Sequence, residues 1–151
     1  MTAESAAASP TVDDLVGALR RASVVLDEAS HAAQEQLGVT RTDLGAMELL
    51  SLGRLSAGEI AEQLAVSTGT TTAIIDRLVA AGYAERLADP RDGRRTVVSM
   101  TAKGRRRFRE AFRRRWEWMQ GMAAEMTPAQ LSAVIGFLQR VPEIRPKRNG
   151  R

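Results

Sequence analysis

The fold turns on the stretch Ala65-Val-Ser-Thr-Gly-Thr-Thr-Thr-Ala-Ile-Ile-Asp-Arg-Leu78. Ser67 is a good helix cap, and Thr71, Ile74, Ile75 and Leu78 recur at the spacing of one helical face, so a helix is predicted from Ser67 to about Ala81. It spans roughly 22 Å at 1.5 Å per residue, and Gly82 ends it. Just upstream, Ser56-Ala-Gly-Glu59 forms a capping box, in which hydroxyl and carboxylate each meet a first-turn backbone donor, and it starts a helix carrying Ile60, Ala61 and Leu64. Only Ala65-Val66-Ser67 separates the two helices. That connection, with small Ala61 and apolar Ile60, Leu64, Val66, Ile74 and Leu78 to pack the corner, is a helix-turn-helix pattern.

The period changes after Gly82: Tyr83–Leu87 and Thr96–Met100 read as strands around an eight-residue tip, Ala88-Asp-Pro-Arg-Asp-Gly-Arg-Arg95. A two-stranded hairpin is marginal in water, so this one must lean on the helices, in the manner of a wing. Upstream, Leu15, Leu19, Ala22, Leu26, Ala29 and Ala33 mark an amphipathic helix from Thr11 to about Gln36, and Thr40 with Asp43 opens a short helix through Leu44, Met47 and Leu50. Downstream, Thr101 starts a helix expected to run about 25 residues, because Phe108, Phe112, Trp116, Met119, Ala123 and Met126 keep helical spacing. Thr127-Pro-Ala-Gln130 restarts the chain into a last helix striped by Leu131, Val134, Ile135, Leu138 and Val141, ended by Pro142. The fold class is mainly α, formally α+β. Residues 1–10 read as a disordered tail, 11–142 as a single domain and 143–151 as a frayed basic tail.

The 151 residues, 44% of them apolar, suit one soluble domain. There is no cysteine and a single histidine, His31, which removes disulfides, thiolate metal sites and most imidazole chemistry. No apolar run reaches the roughly 18 residues of a membrane helix, and the N-terminus lacks a basic leader, so a cytoplasmic protein is expected. No phosphate loop is present, and the serine of Gly53-Arg-Leu-Ser-Ala-Gly58 is better used as a helix cap than as a nucleophile. Asp89 and Asp92 have arginines between and after them, which favours ion pairing over a bound cation. No catalytic residue, metal ligand set or cofactor is predicted, and the chain is not read as an enzyme. Charge is uneven: residues 1–72 hold 4 basic and 10 acidic groups, residues 73–151 hold 18 and 8. A polyanionic partner follows, with double-stranded nucleic acid the first choice.

The recognition-type helix has an outward face of Thr68, Gly69, Thr72, Ala73 and Asp76. Threonine offers base edges a hydroxyl and a methyl, and Gly69 and Ala73 permit close approach to a major groove. Ser67, Thr70 and Arg77 are better placed for phosphates near the helix start. Thr68 and Thr72 also have a plainer reading as ordinary helix-start residues. Arg91, Arg94 and Arg95 surround the wing tip, and an arginine that enters a narrow minor groove reads its potential and shape rather than base edges; an Arg94–Asp89 pair that holds the hairpin is the alternative use of Arg94. The run Lys103-Gly-Arg-Arg-Arg-Phe-Arg109 and Arg113-Arg-Arg115 reads mainly as a solvated helix face.

The stretch Ala65–Leu78, then Ala81-Gly-Tyr-Ala-Glu-Arg86, Asp89-Pro-Arg-Asp-Gly-Arg-Arg95 and Val97-Val-Ser-Met-Thr101, resembles the recognition helix, wing entry and wing of the MarR family of bacterial transcription regulators. The Asp-Pro-x-Asp-x-Arg wing makes the resemblance specific, and it covers nearly the whole chain. It implies a winged helix-turn-helix lobe over residues 40–100, between dimerisation helices at 11–37 and 101–142. It implies a sequence-specific DNA-binding regulator, most often a dimeric repressor on a pseudo-palindromic operator. The apolar stripes at both chain ends independently suggest a homodimer. The resemblance further implies a small aromatic or phenolic effector, with His31, Leu44, Met47, Phe112 and Trp116 as candidate contacts; core packing is the other use of these side chains. The alternative function is a sequence-indifferent, architectural DNA-binding protein.

Overall fold

In the computed structural model, which describes residues 9–90 and 92–140, local capping chemistry sets the element boundaries. Helix α1 (Val12–Leu37) starts at a capping box between Thr11 and Asp14 and stops at Gly38, whose φ of 67° lies in the left-handed region glycine adopts freely. Helix α2 (Arg41–Leu52) has the predicted Thr40–Asp43 box, and α3 (Ala57–Leu64) the Ser56–Glu59 box. Helix α4 (Thr68–Ala80) is capped by Ser67. Strands β1 (Ala84–Ala88) and β2 (Thr96–Met100) form an antiparallel pair in the register Ala84–Met100 to Ala88–Thr96, one residue later at β1 than its sequence suggested. Helices α5 (Ala102–Ala111), α6 (Arg113–Ala124) and α7 (Pro128–Arg140) complete the described chain. The fold is mainly helical with one small two-stranded sheet.

The expected 25-residue helix after Thr101 is interrupted. Phe112 takes φ −102° and ψ 8°, outside helical values, and ends α5. Its ring is buried against Phe108, with centroids 4.7 Å apart. The following Arg113-Arg-Arg115 adds like charges to those of α5, and this core anchor prevails over straight continuation. A one-residue break leaves the apolar period almost in phase, which is why spacing alone missed it. The described residues through Phe112 form one compact unit, and those from Arg113 onward a second.

The first unit holds the core. Ala33 and Leu37 of α1 join Leu44, Met47 and Leu50 of α2, Ile60 of α3, Ile74, Ile75 and Leu78 of α4, Val98 and Met100 of β2, and Phe108 and Phe112. The hairpin is tied in as its marginal stability requires: Leu55 and Val98 exchange both backbone hydrogen bonds, at 3.1 and 2.7 Å. Gly104 allows α5 to start against the wing, since a Cβ there would collide with the Tyr83 carbonyl. In the second unit α7 begins with the predicted Thr127–Gln130 box and Pro128 at its first position. The expectations for residues 1–8, Arg91 and 141–151, including Val141 and Pro142, lie outside the described residues.

Candidate nucleic-acid interface

Helix α4 divides as its sequence predicts. Thr71, Ile74, Ile75 and Leu78 are buried, while Ser67, Thr68, Gly69, Thr70, Thr72, Ala73 and Asp76 are exposed. Thr71 tolerates full burial because its hydroxyl donates to the Ser67 carbonyl at 3.0 Å. Ser67 Oγ accepts from the Thr70 amide at 3.2 Å and lies 2.8 Å from Thr70 Oγ1. The first turn holds no acidic residue, so the positive end of the helix is unopposed. Thr72 donates its hydroxyl to the Thr68 carbonyl at 3.0 Å. That bond uses the only proton of Thr72 Oγ1 and leaves it an acceptor toward solvent. The turn that presents α4 rests on Ala65, which holds φ 57° without being glycine.

Arg77, expected at a phosphate, is instead committed to Asp43. Its Nε donates to both carboxylate oxygens at 3.1 Å and its Nη2 to Oδ1 at 2.6 Å. The Asp43 side chain is 4% exposed and that of Arg77 is 49% exposed. Burial pushes the Asp43 carboxyl upward, but hydrogen bonds from Arg77 and Thr40 outweigh it and hold the group below the ordinary aspartate range. The hydrogen bonds to Asp43 in turn raise Arg77. Sequence gave no sign of this pair, whose members are far apart in the chain.

At the wing tip, Asp89 and Arg95 are joined by an N–H···O bond of 2.8 Å, the Arg95 amide reaches the Asp92 carbonyl at 2.9 Å, and the Arg94 amide reaches Asp92 Oδ1 at 3.1 Å. Backbone and Asp92 therefore shape the tip, and Arg94 and Arg95 are exposed on it. No ion pair links Arg94 to Asp89 among the described residues. Glu59, at the start of α3, is held below the ordinary glutamate range chiefly by the Ser56 hydroxyl, with a smaller effect from the charge of Arg95. Between helix and wing, Arg86 Nη2 meets Asp76 Oδ1 at 2.6 Å.

The basic run of α5 is only partly the solvated face expected. Lys103 Nζ donates to the Ala81 carbonyl at 2.7 Å and lies 5.3 Å from the Tyr83 ring centroid. Arg105 donates to the Met100 carbonyl, and Arg107 to the Gln36 carbonyl at 3.0 Å. Lys103 and Arg107 thus satisfy carbonyls at the ends of α4 and α1, where a cation is favoured.

Of the residues expected around an effector, Leu44, Met47 and Phe112 are core, each no more than 2% exposed. The inward stripe of α2 and the end of α5 draw them there, which is the core-packing use of these side chains. His31 borders a cleft of about 420 Å³ that also touches Glu35, Thr40, Asp43, Arg77 and Leu78. Trp116 lies exposed on α6. No cluster of three or more His, Asp or Glu able to hold a metal occurs among the described residues.

A helix-turn-helix whose second helix presents an outer face of small residues with one carboxylate, Asp76, followed by a hairpin with arginines at its tip, defines a winged-helix DNA-binding protein. The chain belongs to the MarR family of transcriptional regulators, a family of regulators and not of enzymes: the MarR family model matches residues 37–95. It is similar to the uncharacterized HTH-type transcriptional regulator YcgE of Bacillus subtilis, with 33% identity over 114 residues, covering 75% of this chain and 74% of that one. Among solved structures, RV1404 from Mycobacterium tuberculosis superposes with a TM-score of 0.65 at 26% identity, covering 94% of this chain and 99% of the other. NadR in complex with 4-hydroxyphenylacetate gives a TM-score of 0.66 at 22% identity, covering 95% and 99%. No helix among the described residues is long and apolar enough to cross a membrane.

Proposed function

We propose that the protein is a homodimeric repressor that reads a pseudo-palindromic promoter operator and is released by a small aromatic or phenolic effector. The observation that carries this reading is the division of α4 into a buried stripe and an exposed face of Thr68, Gly69, Thr72 and Ala73. In a major groove that face offers methyls to thymine and hydroxyls to base edges. Ser67, Thr70 and the open first turn of α4 take phosphates, and Arg94 and Arg95, with Arg91 beside them in sequence, take the minor groove. Arg77 acts by holding α4 to α2.

Dimerisation is supported by two apolar faces left open. Helix α1 exposes Leu15, Val16, Leu19, Val24, Val25 and Leu26, and neither α6 nor α7 buries a single residue. Two lobes related by a twofold axis would meet half-sites one or more helical turns apart. The effector site proposed here is the cleft beside His31, which ends on Asp43 and Arg77. The ligand in the NadR complex is of the expected phenolic class. An occupant that binds better when the Arg77–Asp43 pair is altered would shift α4 away from its DNA-competent position. A regulator of transcription acts where the chromosome lies, in the cytoplasm.

The test is binding of the full chain to duplex DNA from its own upstream region and to a scrambled duplex, across a salt series, with fragment selection from the genome beside it. A preference of about a thousandfold, reduced by Thr72→Ala, supports the reading. Flat selection, with affinity governed by salt alone, replaces it with the architectural protein.

A further inference from the structure

We propose that Arg86 sets DNA affinity by acting through Asp76: it cancels a carboxylate that would otherwise face the phosphates, and it joins the wing strand to the recognition helix. The proposal rests on the reading of α4 as the groove-entering helix.

Asp76 stands one helical turn after Thr72, on the exposed side of α4, and its side chain is 60% exposed. A carboxylate there opposes a polyanion. Arg86 reaches it from β1, at 2.6 Å, with its own side chain 41% exposed. The other cation of the same turn, Arg77, is taken by Asp43. Within β1, Glu85 is also exposed, but as the preceding residue of the strand it points to the opposite face, so Asp76 is the carboxylate that Arg86 meets. An exposed pair of this kind adds little to folding. Its placement at the meeting of helix and wing gives it a use in binding, where two charges of opposite sign are brought against phosphates together.

A direct phosphate contact by Arg86 makes a different prediction, because such a contact would be lost whether or not Asp76 is charged. The experiment is a double-mutant cycle on the full-length protein. Wild type, Arg86→Ala, Asp76→Asn and the double variant are titrated against the upstream and scrambled duplexes, with Thr72→Ala, Arg94→Ala and Arg86→Lys beside them and thermal melts to verify folding. The expected result is a loss of roughly tenfold or more for Arg86→Ala on both duplexes, consistent with one uncovered charge at an interface. Asp76→Asn gains affinity several-fold on both, the double variant matches Asp76→Asn, and Arg86→Lys stays near wild type. A double variant as weak as Arg86→Ala overturns the proposal and makes Arg86 a direct contact. Unchanged binding in all Asp76 and Arg86 variants, while Thr72→Ala and Arg94→Ala weaken it, also overturns it and leaves the role of α4 intact. If Thr72→Ala and Arg94→Ala are silent too, the reading of α4 has failed and the proposal falls with it.

Discussion

Arg77 and Asp43 join the recognition helix to the start of α2 through three donor–acceptor contacts between 2.6 and 3.1 Å, across 34 residues of sequence. The carboxylate is buried and the guanidinium half in water, so the two ends of the pair respond differently to loss of the partner. Breaking a fully buried pair costs about 3–5 kcal/mol, but Arg77 can rehydrate once freed. Asp43→Ala should therefore destabilise the fold by about 1–3 kcal/mol, part of it from the lost α2 capping box. Urea melts measure this; a change below about 0.3 kcal/mol, within the scatter of ordinary surface substitutions, would show the pair to be incidental. Arg77→Ala should cost at least as much, because it strands the buried Asp43.

Acid should reveal the same pair. The folded Asp43 carboxyl titrates below its ordinary value of about 3.9. A depressed aspartate contributes stability that is complete above the unfolded pKa and is lost as pH falls through the folded one. Asp14, lowered chiefly by the Thr11 hydroxyl, and Glu59, lowered chiefly by the Ser56 hydroxyl, have the same sign. Stability should hold steady from neutrality to about pH 5 and fall below about pH 4. In Asp43→Asn that acid limb should be shallower, as read from denaturant midpoints at a series of pH values. An equally steep limb would assign acid sensitivity to other carboxylates.

Gly104 should not tolerate a side chain. A helical Gly→Ala exchange ordinarily gains about 1 kcal/mol, but here the new Cβ meets the Tyr83 carbonyl, which also accepts from the Thr101 amide at 3.0 Å. Backbone cannot move aside as a flexible side-chain end would. Gly104→Ala should thus destabilise by about 2 kcal/mol or more, in the range of overpacked cores, and a thermal midpoint at or above wild type would contradict the packing.

Ala65 offers the opposite sign. It sits at φ 57° in the turn between α3 and α4, a conformation that costs an L-residue roughly 1–2 kcal/mol. Glycine removes that strain and returns part of the gain as unfolded-state freedom. Ala65→Gly should stabilise the protein by about 0.5–1 kcal/mol, seen as a higher urea midpoint at unchanged slope.

What was legible in the sequence was local. Capping boxes at Thr40, Ser56 and Thr127 and the stripe through Thr71, Ile74, Ile75 and Leu78 depend on neighbours within four residues, and each stands where its spacing placed it. The interruption at Phe112 escaped because burial of one ring decided it. The Arg77–Asp43 pair has no sequence signal because its partners lie in different helices, and Arg86 has none because a lone arginine in a strand has no pattern. Lys103, Arg105 and Arg107 looked like solvent-facing charge, yet each reaches a backbone carbonyl outside α5. Such long-range contacts have no period to read.

The apolar faces at the chain ends yield the last prediction. Leu19 on α1 and Ile135 on α7 are exposed, as are Trp116, Met119 and Met122 on α6. A charge at an already exposed site leaves the packed lobe through Phe112 unstrained, whereas burying an unpaired carboxylate in a dimer interface is costly. Leu19→Glu and Ile135→Glu should each shift the protein from dimer to monomer in analytical ultracentrifugation, with helical circular dichroism near wild type. Because a twofold protein gains from holding two half-sites at once, the same variants should lose affinity for an intact operator by about a hundredfold while binding a single half-site nearly as before. A dimer that persists in both variants would place the interface elsewhere and detach the exposed stripes from assembly.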